Sequence, residues 1–179
     1  MTKLAVYGTA LPNDGVRIWD SETRTLLRVG EAGWREPDWA PNGDSLTCVG
    51  YLGQTPGILV LDSLGAAPRV IVSGFDWIAS PTWSPSGRRI AFCARSGAED
   101  FQLYVVDSDG TGLRWITSDG AGPYGVAWSP SGREILYVRY DSRDLNCAAG
   151  NYVHGTLWRD NPSTGERIQV TFNHGVQCP

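Results

Sequence analysis

The chain has 179 residues, a formal net charge of −4 and 41% hydrophobic residues, with 22 glycines and 11 prolines. That is enough chain for one domain with a real core, and the acidic balance argues against a general nucleic-acid surface, which needs a basic stripe. No apolar run approaches the roughly 20 residues of a membrane-spanning helix. The N-terminus shows no charged leader followed by an apolar segment, so no signal peptide is visible and a cytoplasmic location is the default expectation.

From the N-terminus, Leu4–Tyr7, Gly15–Trp19 and Thr25–Val29 are short runs rich in β-branched and aromatic side chains. Gly, Asp, Asn and Ser bound them, which is strand composition with turn punctuation and not the 3.6-residue period of a helix. Pro12-Asn13-Asp14-Gly15 predicts a hairpin turn. Trp39-Ala40-Pro41-Asn42-Gly43 opens a longer unit with strands at Ser45–Val49, Ile58–Leu61 and Arg69–Val72. Trp83-Ser84-Pro85-Ser86-Gly87 opens the next, with strands at Ile90–Cys93, Leu103–Asp107 and Leu113–Thr117. In such a turn the proline presets φ and the glycine takes the positive φ that closes it. Trp128-Ser129-Pro130-Ser131-Gly132 opens the last unit, followed by strands from Ile135 to near Tyr140, Gly155–Trp158 and Arg167–Thr171. A longer connection from Asp141 to His154 interrupts it, carrying Arg143, Asp144, Asn146, Cys147, Tyr152 and His154. Extra length of this kind predicts a loop grown on one face, either a contact surface or a tolerated insertion.

The three Trp-x-Pro-x-Gly openings are spaced by 44 and 45 residues. The strand after the turn recurs as Leu4, Leu46, Ile90 and Ile135, and the third strand ends in Asp20, Asp62, Asp107 and Asp160. A four-stranded unit repeating at about 40–50 residues is the signature of β-propeller blades. The elements Trp-Ser-Pro-x-Gly, Ile90-Ala91-Phe92, Leu103-Tyr104-Val105-Val106-Asp107 and Leu113-x-x-Ile116-Thr117 resemble the TolB-like propeller repeat, a relative of the WD repeat. Val16-Arg17-Ile18-Trp19-Asp20 also resembles the third strand of a WD repeat. The resemblance covers nearly the whole chain. It implies an all-β propeller of four blades, at about 1–33 with 173–179, 34–75, 76–119 and 120–172. It also suggests a periplasmic or extracellular location. The first blade lacks its opening strand and Asn173–Pro179 resembles one, so the two ends are expected to complete a blade within one chain or between copies.

Fold does not fix function, so the chemistry must come from particular residues. Cys48 and Cys93 lie inside strand runs and read as buried thiols, while Cys147 and Cys178 are a possible pair outside a reducing compartment. Asp107-Ser108-Asp109-Gly110 lacks the spaced ligands of a calcium loop, and the recurring aspartate reads as a turn residue accepting backbone N–H bonds. The two histidines, His154 and His174, have no partner at metal-ligand spacing, and no Gly-x-Ser-x-Gly elbow occurs. No cofactor, metal or enzymatic activity is therefore expected. A propeller-type polysaccharide lyase or hydrolase accessory domain ranks behind binding and assembly.

Ring residues recur ahead of each innermost strand: Trp34 before Trp39, Trp77 before Trp83, Tyr124 before Trp128, and His174 near the end. In a propeller these connections gather at one mouth of the central channel, where the rings would form an aromatic collar with Arg35, Glu36 and Asp76 beside them. The competing reading is that the rings pack between blades, as Trp39, Trp83 and Trp128 are expected to do. The function expected is a non-catalytic scaffold that recognises a protein or peptide through the channel mouth and loops. The alternative is a self-assembling subunit joined to further copies through its terminal strands.

Overall fold

A computed structural model describes residues 3–7, 15–62, 68–97, 101–117, 123–140 and 155–171. Every regular element among them is a β-strand. The first sheet holds β1 (Lys3–Tyr7), β2 (Val16–Asp20) and β3 (Thr25–Arg28), and the second holds β4 (Arg35–Trp39), β5 (Ser45–Leu52), β6 (Thr55–Asp62) and β7 (Arg69–Val72). β8 (Trp77–Trp83), β9 (Arg89–Arg95), β10 (Gln102–Asp107) and β11 (Arg114–Trp115) form the third. β12 (Pro123–Trp128), β13 (Ile135–Tyr140), β14 (Gly155–Asp160) and β15 (Arg167–Gln169) form the fourth. Each sheet is an antiparallel meander in chain order. β4, β8 and β12 lie side by side as innermost strands, so the fold is a β-propeller of four blades.

The turns show why the repeat is spelled as it is. The Ser84 carbonyl accepts the Gly87 N–H at 2.9 Å, and the Ser84 hydroxyl accepts the Arg89 N–H at 3.1 Å. Ser129, Gly132 and Glu134 repeat both bonds at 2.8 and 3.1 Å. Gly87 and Gly132 sit at φ 70° and 66°, a left-handed conformation that disfavours any side chain. The turns also stack on one another. Pro41 lies against Gly87, and Pro85 against Gly132.

Blade packing follows from the two-residue period of a strand, which sends alternate side chains to opposite neighbours. Val16, Ile18 and Val29 meet Leu46, Cys48, Leu59 and Leu61 between the first and second sheets. Val49, Ile58 and Val72 meet Ile78, Ile90, Phe92 and Val106 between the second and third. Ala91, Cys93, Leu103 and Val105 meet Ile135 and Tyr137 between the third and fourth. The repeat tryptophans stand at these junctions, with Trp83 buried and Trp39 and Trp128 half-buried. Cys48 and Cys93 are fully buried thiols, as expected, and desolvation pushes Cys48 up to about 12 and Cys93 further in the same direction.

The register corrects one feature of the repeat. Asp20, Asp62 and Asp107 pair with Lys3, Ser45 and Arg89, each the residue before the recurring Leu4, Leu46 and Ile90. Asp160 instead pairs with Ile135 itself, one position earlier, and its side chain is therefore turned into the blade junction. The turn role passes to Asn161, whose Oδ1 accepts the N–H of Ser163 and Thr164 as Asp20 Oδ1 accepts those of Glu22 and Thr23. In the third blade the side-chain acceptor is Asp109, which takes the Thr111 N–H at 2.8 Å, while Asp107 contributes its backbone. The connection Asp141–His154, with Cys147, and the tail Asn173–Pro179, with His174 and Cys178, lie outside the described residues.

Candidate functional site

Each innermost strand is broken by the same irregularity. The pairing register shifts between Arg35 and Asp38, between Ala79 and Thr82, and between Tyr124 and Ala127. Within those gaps Glu36, Ser80 and Gly125 sit at φ 55°, 52° and 64°. These are β-bulges, devices that bend a strand and re-aim its side chains. Two of the three are marked in the sequence, because Pro37 and Pro81 follow the bulged residue and proline inside a strand is confined to edges and bulges.

The bulges knit the second blade to the third. A Glu36 carboxylate oxygen accepts the Ser80 N–H. Two residues on, Asp38 Oδ2 accepts the Trp83 N–H at 2.7 Å and the Thr82 hydroxyl at 3.2 Å. Burial, the largest influence, pushes the Asp38 carboxyl above its ordinary value, and these hydrogen bonds offset it only in part. A group whose folded pKa is raised stabilises the fold fully below its unfolded pKa, and that contribution is lost as pH rises through the folded pKa. Asp38→Asn keeps an acceptor without the charge. Urea unfolding of D38N from pH 3 to 7 is expected to lose less stability with rising pH than the parent. Parallel curves for the two proteins would remove Asp38 as a source of the slope.

Beside this seam stands Arg35. Its guanidinium donates to Tyr51 Oη at 2.7 Å, to the Ile78 carbonyl at 3.0 Å and to Glu36 Oε1 at 3.3 Å. The same group lies 5.0 Å from the Trp77 ring centre and 5.6 Å from that of Tyr51, within cation–π reach of both. Trp77 remains 43% exposed. Asp76, next to it, is exposed and accepts the Gly97 N–H. Arg35, Glu36 and Trp77 thus form one contiguous group in which a half-exposed indole rests on a fixed cation, with the Asp76 carboxylate alongside.

Trp34 takes a different place. It is 6% exposed and packs in the core between the first two sheets. Gly30 and Gly50 open the slot: a Cβ on Gly30 would stand 2.8 Å from the Trp34 ring, and one on Gly50 would stand 3.0 Å from it and 2.2 Å from Leu59. Tyr124 lies on β12 opposite Val138. The expected collar residue His174 is outside the described residues. Tyr51, Asp38 and Ser80 were not foreseen. Tyr51 could be joined to Arg35 only once the pairing of β4 with β5 was known.

Among the described residues no three His, Cys, Asp or Glu side chains come together as metal ligands. No helix there is long and apolar enough to cross a membrane.

Solved structures place this architecture among the propellers. TolB from Acinetobacter baumannii superposes with a TM-score of 0.75 at 19% identity, over 96% of this chain and 42% of that one. The nidogen/laminin complex matches at 0.68 and 14% identity, over 92% and 59%. An oligogalacturonate lyase in complex with manganese matches at 0.66 and 17%, over 93% and 50%. No protein-family profile matches the chain. The class is therefore the β-propeller. Within it, the chain is similar in fold to TolB, and it spans about half the length of the propeller proteins it superposes on.

Proposed function

We propose that the chain is a non-catalytic propeller scaffold that recognises a protein or peptide partner through the mouth surface around Trp77. The observation that carries this reading is the Arg35–Trp77 stack. Trp, Tyr and Arg dominate binding hot spots because they give large contact area from few rotatable bonds. Here the arginine is already fixed by three hydrogen-bond partners, so little side-chain entropy remains to be lost on binding. The exposed Asp76 carboxylate favours partners with a basic or N–H-rich segment next to an apolar side chain.

The test uses a random peptide library selected against the intact chain. Trp77→Ala is expected to weaken the selected peptides by about tenfold or more, the scale of a modest hot spot. Its melting temperature should stay close to the parent's, because much of the ring is already solvated. Peptides that bind parent and W77A equally would place recognition elsewhere.

A further inference from the structure

The outer corners of two blade junctions are built from equivalent residues and end differently. Arg69, Val70 and Ile71 in the second sheet correspond to Arg114, Trp115 and Ile116 in the third, since Arg69 pairs with Val60 and Arg114 with Val105. Each arginine straps its sheet to the hairpin of the next blade. Arg69 donates to the Ser108 and Asp109 carbonyls at 2.8 and 2.9 Å, and Arg114 donates to the Pro162 carbonyl at 3.3 Å. Between the second and third sheets the hairpin then closes on β7, where a Cβ on Gly110 would stand 3.1 Å from the Ile71 carbonyl oxygen. The hairpin of the fourth sheet is one residue longer, running from Asn161 to Glu166 where the other runs from Asp107 to Thr111. Gly165 donates to the Asn161 carbonyl as Gly110 does to that of Asp107, but nothing lies within 4 Å of where its Cβ would be. The corner is open as a cleft of about 110 Å³ lined by Trp115, Ile116, Asp160, Asn161, Pro162 and Gly165.

The chemistry of the cleft departs from the repeat as well. Asp160 pairs with Ile135, the place that Leu61 and Val106 hold opposite Leu46 and Ile90. Well-packed apolar residues are often at least as stable as a buried ion pair, so stability alone does not call for a carboxylate there. Asp160 Oδ1 accepts the Arg167 Nε–H, and Oδ2 accepts the same group and the Tyr137 hydroxyl. A carboxylate takes about four hydrogen bonds, which leaves room for one more donor. Asn161 Oδ1 is taken by the Ser163 and Thr164 N–H groups, so its amide N–H groups are the donors it can offer. Trp115 is 58% exposed, yet its indole N–H is tied to Gln102 Oε1 at 3.2 Å. Arg167 also donates to the Ile116 carbonyl at 3.3 Å, so with the Arg114 strap both walls of the cleft are held in place before anything binds.

We infer that this cleft binds one ring of a neutral saccharide, with its C–H face against Trp115 and its edge hydroxyls on Asp160 and Asn161. A sugar hydroxyl both donates and accepts, which matches a carboxylate beside an amide. The indole supplies a flat apolar face for the C–H groups of the ring. Arg167 already balances the Asp160 charge and Arg114 adds a positive charge at the rim, so an ammonium group gains little in this place. Clefts that enclose a whole drug-sized ligand run to about 300–1,000 Å³, so this one takes a single unit and leaves the rest of a longer chain in solvent. It shares no residue with the Trp77 surface.

Saturation-transfer NMR on the full chain, titrated with cellobiose, maltose and lactose, tests this. At least one of the three is expected to bind with a millimolar Kd and to receive saturation on its ring C–H protons. Trp115→Ala removes the platform and is expected to weaken that sugar about tenfold or more. Its melting temperature should stay near the parent's, because most of the ring is already in water. Asn161→Asp keeps the turn acceptor but replaces the amide donors, and it is expected to weaken binding by a similar factor with the fold intact. Should W115A lose the fold, N161D carries the test alone. No binding of any of the three sugars at about 50 mM overturns the inference. So does equal binding by the parent and N161D, or capture of Nα-acetyl-lysine amide in place of the sugars, which would make the cleft a cation site.

Discussion

Trp83→Ala is expected to destabilise the protein by about 3–5 kcal/mol, the usual loss when a buried large aromatic is deleted from a core. Trp83 ends the inner strand β8 and packs between the second and third sheets with Ala40, Ile78, Ile90 and Phe92. Its backbone N–H is held by Asp38 across that junction, so the side chain fills a space whose walls are fixed by hydrogen bonds and cannot readily collapse. The indole Nε1 has no hydrogen-bond partner among the described residues. Trp83→Phe thus forfeits no hydrogen bond, and its cost is expected to fall below about 2 kcal/mol, nearer a core swap that conserves chemistry. Urea unfolding of both variants measures the difference. W83A within about 1 kcal/mol of the parent would show that this junction does not depend on the ring.

The same contrast separates two tryptophans that look alike in the sequence. Trp34 directly precedes the inner strand β4 and Trp77 begins β8, and position in the repeat made them equivalent. Strand number, turn chemistry and the junction role of Trp83 were legible because they recur at 44 or 45 residues and rest on local rules. The difference between Trp34 and Trp77 was not, because it depends on what lies across the junction. Gly30 and Gly50 leave room for one indole to enter the core, while Arg35 holds the other at the surface. Glycine in a strand can signal close approach of a neighbour, but not which one. The bulges were half-legible through Pro37 and Pro81. The seam they create, from Glu36 to Ser80 and from Asp38 to Trp83, joins residues about 45 apart and needs the packed fold.

Asp160→Ala is the sharper test of how repeat and structure diverge. By sequence Asp160 closes a third strand as Asp20 does, and a turn aspartate at an exposed hairpin would be lost with little effect. The register turns Asp160 inward instead, to 3% exposure. Its carboxylate takes the Arg167 Nε–H at 2.9 and 3.2 Å and the Tyr137 hydroxyl at 3.0 Å. Arg167 in turn donates to the Ile116 carbonyl of the third blade, so this group ties two blades together. Removing one partner of a buried ion pair leaves the other charge uncompensated, at a cost of about 3–5 kcal/mol. The Arg167 side chain keeps 23% of its surface in water, which places the expected loss for D160A near the lower end, about 3 kcal/mol. Asp160→Asn should fall between, since an amide can still accept from Tyr137 but cannot neutralise Arg167. Asp20→Ala, at the exposed first hairpin, is expected to move the unfolding midpoint only slightly. Equal midpoint shifts for D20A and D160A would restore the sequence alignment and show that the inward register of β14 is wrong.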